Sequence, residues 1–254
     1  AVLHAGRRID SLRELPDARV VLLDLAPTEL LRIGGETLPQ RYRRALARYR
    51  YGGAACKVDL ALSAPVPWRN PDCAAAGTLH LIGGRPDALQ AELAVARGEH
   101  ADRPFVLLAQ PGAHDESRAP RGITPVWTYA HVPRGSDVDA SAAVLEQLER
   151  FAPGVRDLVL ATSVRTAREL GQDNANYPGG DIGAGAVSLR QLVFRPTVAR
   201  NPYATPLNGV YLCSAATPPG AGVHGMAGTH AAAHALRERF GITTDPLRLL
   251  ATTR

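Results

Sequence analysis

GVYLCSAATPPGAGVHGMAGTHAAAHALRERF, residues 209–240, runs from a short apolar segment through a Pro/Gly loop into an alanine-rich stretch. Val210 to Ala216 reads as a strand, Thr217 to Gly228 as the loop, and the remainder as a helix. A strand, a glycine loop and a helix start in succession expose backbone N–H groups that can hold an anion or an electron-rich ring edge. The alanines at 227, 231 and 235 suit close packing of that helix, whatever the loop binds.

Within the loop Gly220, Gly222 and Gly225 spell G-x-G-x-x-G, and Asp245 follows about twenty residues later, near the place of the acid in a dinucleotide fingerprint. The fingerprint needs a second buried parallel strand ending in that acid. Only Ile242-Thr243-Thr244-Asp245 and a short tail remain, so the sequence argues against an autonomous Rossmann site. Pro218 and Pro219 also have no N–H to offer in a phosphate turn. Without a ligand, the same residues read as a glycine-rich helix entry that packs on a neighbouring strand.

The loop TPPGAGVHGM resembles the carboxy-terminal flavin motif of the phytoene desaturase-like FAD oxidoreductases, in which a strand, a G-T-H-P-G-G-G-(I/V)-x-G loop and a helix close the FAD domain. Thr217, Pro219, Gly220, Gly222, Val223 and Gly225 match. Pro218 replaces the usual His, Ala221 the middle Gly, and His224 stands where Pro is common. The form is similar to the branch that includes the pyridine nucleotide-disulfide oxidoreductase domain 2 proteins. The likeness continues through residues 48–68, 103–111, 176–182 and 189–196. It implies FAD as cofactor, held by Ala216, Thr217, Gly220, Gly222, Val223, His224, Gly225 and Met226. It also implies hydride transfer between a substrate C–H and the flavin, of desaturase, dehydrogenase or isomerase type, on a small apolar or amphipathic substrate.

Members of that family open with an ADP-binding strand–loop–helix and are longer. This sequence begins at Ala1-Val2-Leu3-His4 and corresponds to the carboxy-terminal half. The resemblance therefore implies a partner, the amino-terminal FAD-binding half, in the same or a separate chain; a homo-oligomer is also open. The alternative is a non-catalytic fragment or subunit that completes an FAD site only with that half. Exposed apolar surface on residues 1–24 and 209–216 would favour it. A third reading is an unrelated small-molecule-binding module.

Composition fits a globular body with many turns: 254 residues, 24 Gly, 20 Pro and a net charge of +5. Arginine supplies nearly all the positive charge, Lys57 being the single lysine. One cluster, Arg41, Arg43, Arg44, Arg48 and Arg50, reads as a solvated face. With aromatics at 5% there is no nucleic-acid footprint. No apolar run is long enough to span a membrane. Cys56, Cys73 and Cys213 lack paired spacing, which suits free thiols in a reducing, cytoplasmic setting.

The remaining pattern alternates strands with helices. Strands are expected over 19–25, 56–62, 77–82, 105–110, 126–132 and 158–166, and helices over 39–49, 87–97 and 139–151. A polar turn spans His114 to Arg121, and 170–188 reads as a long irregular loop. The order of elements suits an α+β fold, a mixed sheet with helices on one face, within an α/β whole; the resemblance, more than composition, implies its bounds as a substrate-binding domain (25–196) flanked by FAD-domain segments (1–24 and 197–254).

Three residues are weak candidates for catalysis. His224 lies within the glycine loop but equally suits a surface turn. Lys57 can act as a base or hold water beside a flavin, or simply pair with Asp59 on one face of a strand. Tyr177, with Asp181, sits in the polar loop 174–181, which can reach over a substrate or form a plain turn cluster. His230 and His234 have metal-ligand spacing, but no third ligand is suggested and no metal is expected.

Overall fold

The computed structural model describes residues 2–119 and 122–251, the last three of these by backbone only. Arg121, at the end of the expected polar turn, lies outside the described residues, as do Ala1 and 252–254 of the expected FAD-domain segments. In chain order the elements are β1 (Val21–Leu23), α1 (Pro27–Gly34), α2 (Gln40–Ala47), β2 (Ala54–Leu62), β3 (Thr78–Leu81), α3 (Arg85–Arg97), β4 (Val106–Ala109), β5 (Thr124–Val132), α4 (Ser141–Phe151), β6 (Val159–Arg165), α5 (Ala167–Asp173), α6 (Leu189–Val193), β7 (Val210–Leu212), α7 (Met226–Phe240) and α8 (Pro246–Ala251). They fall into two compact units, 52–182 and a two-segment unit of 1–51 with 183–254. These divisions differ from the boundaries at 25 and 196 drawn from the sequence. The difference lies in α1, α2 and α6. Leu30 of α1 and Leu46 of α2 share a core with Leu23 and Leu212 of β1 and β7, and α6 is tied to Arg50 through the Gln191 side chain.

The 52–182 unit is built on a five-stranded sheet of order β3-β4-β5-β2-β6. Every pairing in it is antiparallel, which corrects the expected mixed sheet. Strands β5 and β6 run in the same direction, but β2 lies between them, so the connection through α4 creates no parallel neighbours. Alternation fixes the two faces. Cys56, Val58, Leu60 and Leu62 of β2 turn inward with Val126, Ala130 and Val132 of β5, beneath Val144 and Leu148 of α4 and Ala167 of α5. Thr128 is buried in the same layer and donates its hydroxyl proton to the Val58 carbonyl at 2.7 Å. Helix α3 departs from the expected one-sided arrangement, because its Glu92 pairs with His131 on the opposite, outward face of β5.

In the other unit β1 and β7 pair in parallel, Val21 against Val210 to Leu23 against Leu212. Strand β7 is shorter than the expected run to Ala216. Thr217 turns the chain back by bonding its N–H and its hydroxyl to the Ser214 carbonyl, at 2.9 and 2.8 Å. Helix α7 buries Ala227, Ala231 and Ala235, one residue per turn, and ends at Gly241, whose φ of 68° only glycine adopts readily. No strand follows α7 among the described residues. Asp245 instead accepts a hydrogen bond from the Leu247 N–H at the start of α8, so the βαβ reading of the glycines is not completed.

Candidate functional site

The glycine loop between β7 and α7 has a rigid base and an open rim. Ala216 and Thr217 are fully buried at its start. Gly220 donates its N–H to Thr217 at 2.9 Å. From Ala221 to Gly225 no N–H has a partner among the described residues, and Val223 is fully exposed. His224 is exposed and folds its ring back, its Nδ1 accepting the Met226 N–H at 3.0 Å. That bond caps the first turn of α7, so His224 orders the helix start. Gly220, Gly222 and Gly225 have φ values of 107°, 155° and 61°; at Gly222 a Cβ would also lie 2.6 Å from the His224 ring. The result is a run of free donors backed by a helix N-terminus, which suits an electron-rich edge.

Beneath the loop lies Arg195, only 4% exposed. Its guanidinium donates to the carbonyls of Ala215 at 2.8 Å, Ala216 at 3.4 Å and Ala184 at 3.3 Å, and to the Tyr49 hydroxyl at 2.9 Å. Tyr49 in turn donates to Ala184 at 2.7 Å. No carboxylate neutralises Arg195 among the described residues. A buried cation satisfied only by dipoles is costly unless its field is used or each donor is matched. Here the donors are matched by the carbonyls that open the loop, and Gly220 leaves room for the guanidinium, since a Cβ there would sit 2.7 Å from Nη1. Sequence reasoning missed Arg195. It lay within the quoted 189–196 stretch, but nothing in composition separates a buried arginine from the others scattered along this chain.

Other candidates are placed as follows. Lys57 and Asp59 pair on the outward face of β2, and Lys57 also lies 5.7 Å from the centre of the Trp127 ring. The same face carries a row of rings: Trp127 and Tyr129 edge to face at 5.5 Å, then Tyr129 with His131 and Phe105 with His131 stacked at 5.8 and 4.7 Å. Tyr177 and Asp181 belong to the 52–182 unit as well. Asp181 is buried and accepts the Gly52 N–H at 2.7 Å, while Tyr177 offers its carbonyl to Gly180. The loop 170–188 is more ordered than expected, α5 occupying its start and a single helical turn Pro178–Gly180 its middle. His230 and His234 lie against Tyr203, with ring centres 5.9 and 5.4 Å away, and burial lowers the pKa of His234. Among the described residues no group of three or more His, Cys, Asp or Glu is placed to hold a metal ion.

No protein-family model matches the chain. Named relatives do. A rat (Rattus norvegicus) pyridine nucleotide-disulfide oxidoreductase domain-containing protein 2 is 29% identical over 91% of the chain and 42% of its own length. The mouse (Mus musculus) protein of that name is 34% identical over 53% of the chain and 25% of its own length. A 4,4'-diapolycopen-4-al dehydrogenase from Metabacillus indicus is 29% identical over 47% of the chain. Among solved structures, an oxidoreductase from Methanosarcina mazei superposes with a TM-score of 0.50 at 16% identity, over 84% of the chain and 42% of its own. The fold is thus shared with an oxidoreductase, and the relatives carry oxidoreductase and dehydrogenase names. These relatives support the resemblance to the phytoene desaturase-like proteins, in the branch of the pyridine nucleotide-disulfide oxidoreductase domain 2 proteins. The chain spans about two fifths of the length of the rat relative. No helix among the described residues is long and apolar enough to cross a membrane.

Proposed function

We propose that the chain is the carboxy-terminal portion of an FAD-dependent oxidoreductase that moves a hydride between a substrate C–H and the flavin. The observation carrying this reading is the row of unpartnered N–H groups from Ala221 to Gly225, set at the start of α7 with the Arg195 cation held beneath. When bound, FAD would accept or return the hydride, which leaves excess negative charge on the ring. The chain's part is to meet that charge with the loop N–H groups and the positive end of α7, already oriented before the reaction. The glycines keep side chains out of the approach. Lys57, His224 and Tyr177 are the candidates for handling a proton. Of these, His224 is engaged at Nδ1, and its Nε2 edge lies over Gly222.

A second reading has its own support: a non-catalytic fragment or subunit that completes the FAD site with a separate amino-terminal half. Leu189, Leu192, Val193 and Phe194 on and just after α6 are all exposed, a run of apolar surface of the kind an interface covers. This surface lies outside the segments 1–24 and 209–216 where the sequence analysis expected it, although Val2, Leu3 and Leu22 are also exposed.

The test is a titration with FAD of the chain alone, and then of the chain with the amino-terminal half of its rat relative, followed by flavin absorbance and fluorescence quenching. Saturable binding that needs both halves, and that Gly222→Val abolishes without changing the circular dichroism, is the expected result. Absence of binding in both mixtures would reduce the glycine loop to a structural helix entry.

A further inference from the structure

The arginine cluster read from the sequence as one solvated face divides in the structure. Arg41 in the first turn of α2 and Arg48, which caps its C-terminal end, line a cavity of about 860 Å³ together with Tyr42. Arg50, Arg190 and Phe194 line the same cavity, whereas Arg43 and Arg44 do not. None of the guanidinium groups of Arg41, Arg48, Arg50 or Arg190 makes a hydrogen bond or ion pair among the described residues, and no carboxylate is part of the lining. Elsewhere in the molecule arginines are engaged, as Arg32 is with Asp10 and Glu29, Arg168 with Asp137 and Arg239 with Asn208.

Four like charges around one cavity repel one another, and an anion placed among them removes that cost. Guanidinium groups grip phosphate oxygens two at a time, which a lysine-lined cavity would not do. The volume falls in the range of small-molecule sites. Two rings complete the lining. Phe194 is half exposed into it. Tyr42 is held as a neutral phenol, burial having pushed its pKa up to about 12. From this arrangement we infer that the cavity is a binding site for a nucleoside diphosphate, its phosphates held by Arg41, Arg48, Arg50 and Arg190 and its base stacked on Phe194 or Tyr42. No residue of the glycine loop lines the cavity, although Tyr49, which bonds Arg195 beneath that loop, does.

The experiment is isothermal titration of the full chain with ADP, inorganic pyrophosphate and adenosine at low salt. One ADP per chain is expected, with pyrophosphate weaker and adenosine weaker still. In the double variant R41Q/R190Q the ADP affinity falls by about tenfold or more, as the loss of two charged phosphate contacts requires. The charge-matched double variant R43Q/R44Q keeps it, as does Gly222→Val. Equal losses in the two double variants would mean diffuse attraction to a basic surface and would overturn the site. Pyrophosphate binding as tightly as ADP would remove the ring contact. Loss of ADP binding in Gly222→Val would move the ligand to the glycine loop. No saturable binding of ADP or pyrophosphate at millimolar concentration would end the proposal, whatever FAD does.

Discussion

Arg195 joins segments far apart in the chain, since Tyr49, Ala184 and the Ala215–Ala216 carbonyls all depend on its one guanidinium. Arg195→Ala strips the Ala215 and Ala216 carbonyls of their donor in a buried place. We expect a stability loss of about 2–4 kcal/mol, read as a lower urea midpoint with unchanged slope; a change under about 0.5 kcal/mol would show that water replaces the arginine without cost. Cys213 sets an alkaline limit. Burial, with Asp24 nearby, pushes its thiol from 9.0 up to about 11. Between those values the folded chain keeps a proton that the unfolded chain has released, so stability falls as pH rises through that window. Tyr211, raised to about 12 by burial and by its bond to Glu238, extends the decline. Urea midpoints at pH 8, 9.5 and 11 should fall in that order, and the Cys213 thiol should react slowly with a disulfide reagent at pH 8. A flat profile would mean that the thiol is solvated. At this scale the sequence was a partial guide. The pairing of Lys57 with Asp59 followed from strand alternation, whereas Arg195 gave no signal, because its burial depends on contacts with residues 49, 184, 215 and 216.

The elements most legible in the sequence are those whose pattern and burial agree. Strand β2 alternates and starts two residues before its expected span, and helix α4, with apolar residues at helical spacing, lies within its own. Helix α6 was not expected, and its side chains explain why: Gln191 is buried while Leu189, Leu192 and Val193 are exposed, the reverse of the usual stripe. Gln191 is buried because its amide bonds the Arg50 N–H and carbonyl and the Ala186 carbonyl. Helix α1 was also missed, although Pro27 in its first turn is a known start signal. The sheet and α4 depend on each other through Leu148, which has no exposed surface. Leu148→Ala is expected to cost about 2–5 kcal/mol through lost transfer energy and the cavity it leaves. Chemical denaturation measures this directly; a loss below about 1 kcal/mol would mean that the α4 layer closes over the gap.

At the scale of the whole chain, the 52–182 unit is one continuous segment with its own core, from Ala54 to Ala167. Expressed alone, residues 52–182 should unfold cooperatively in urea with a strand-rich circular dichroism spectrum. A gradual, featureless transition would show that the antiparallel sheet needs the rest of the chain. The other unit is assembled from two distant segments, held by β1 against β7 and by the leucine core around them. The resemblance could suggest that the chain leaves one domain and returns to it, but no linker in the sequence marks the joints, and the contacts divide the chain at 52 and 182 instead. The hydrogen bond from Gly52 to Asp181 has a consequence for this architecture. It clasps the first residue of the 52–182 unit to its penultimate one, so that the unit enters and leaves through a single doorway. A segment whose ends already touch can be cut out, joined into a ring or exchanged for another of different length, with no strain passed to the flanking chain. The joint is thus a splice point, at which one module can be traded for another while the glycine loop stays as it is.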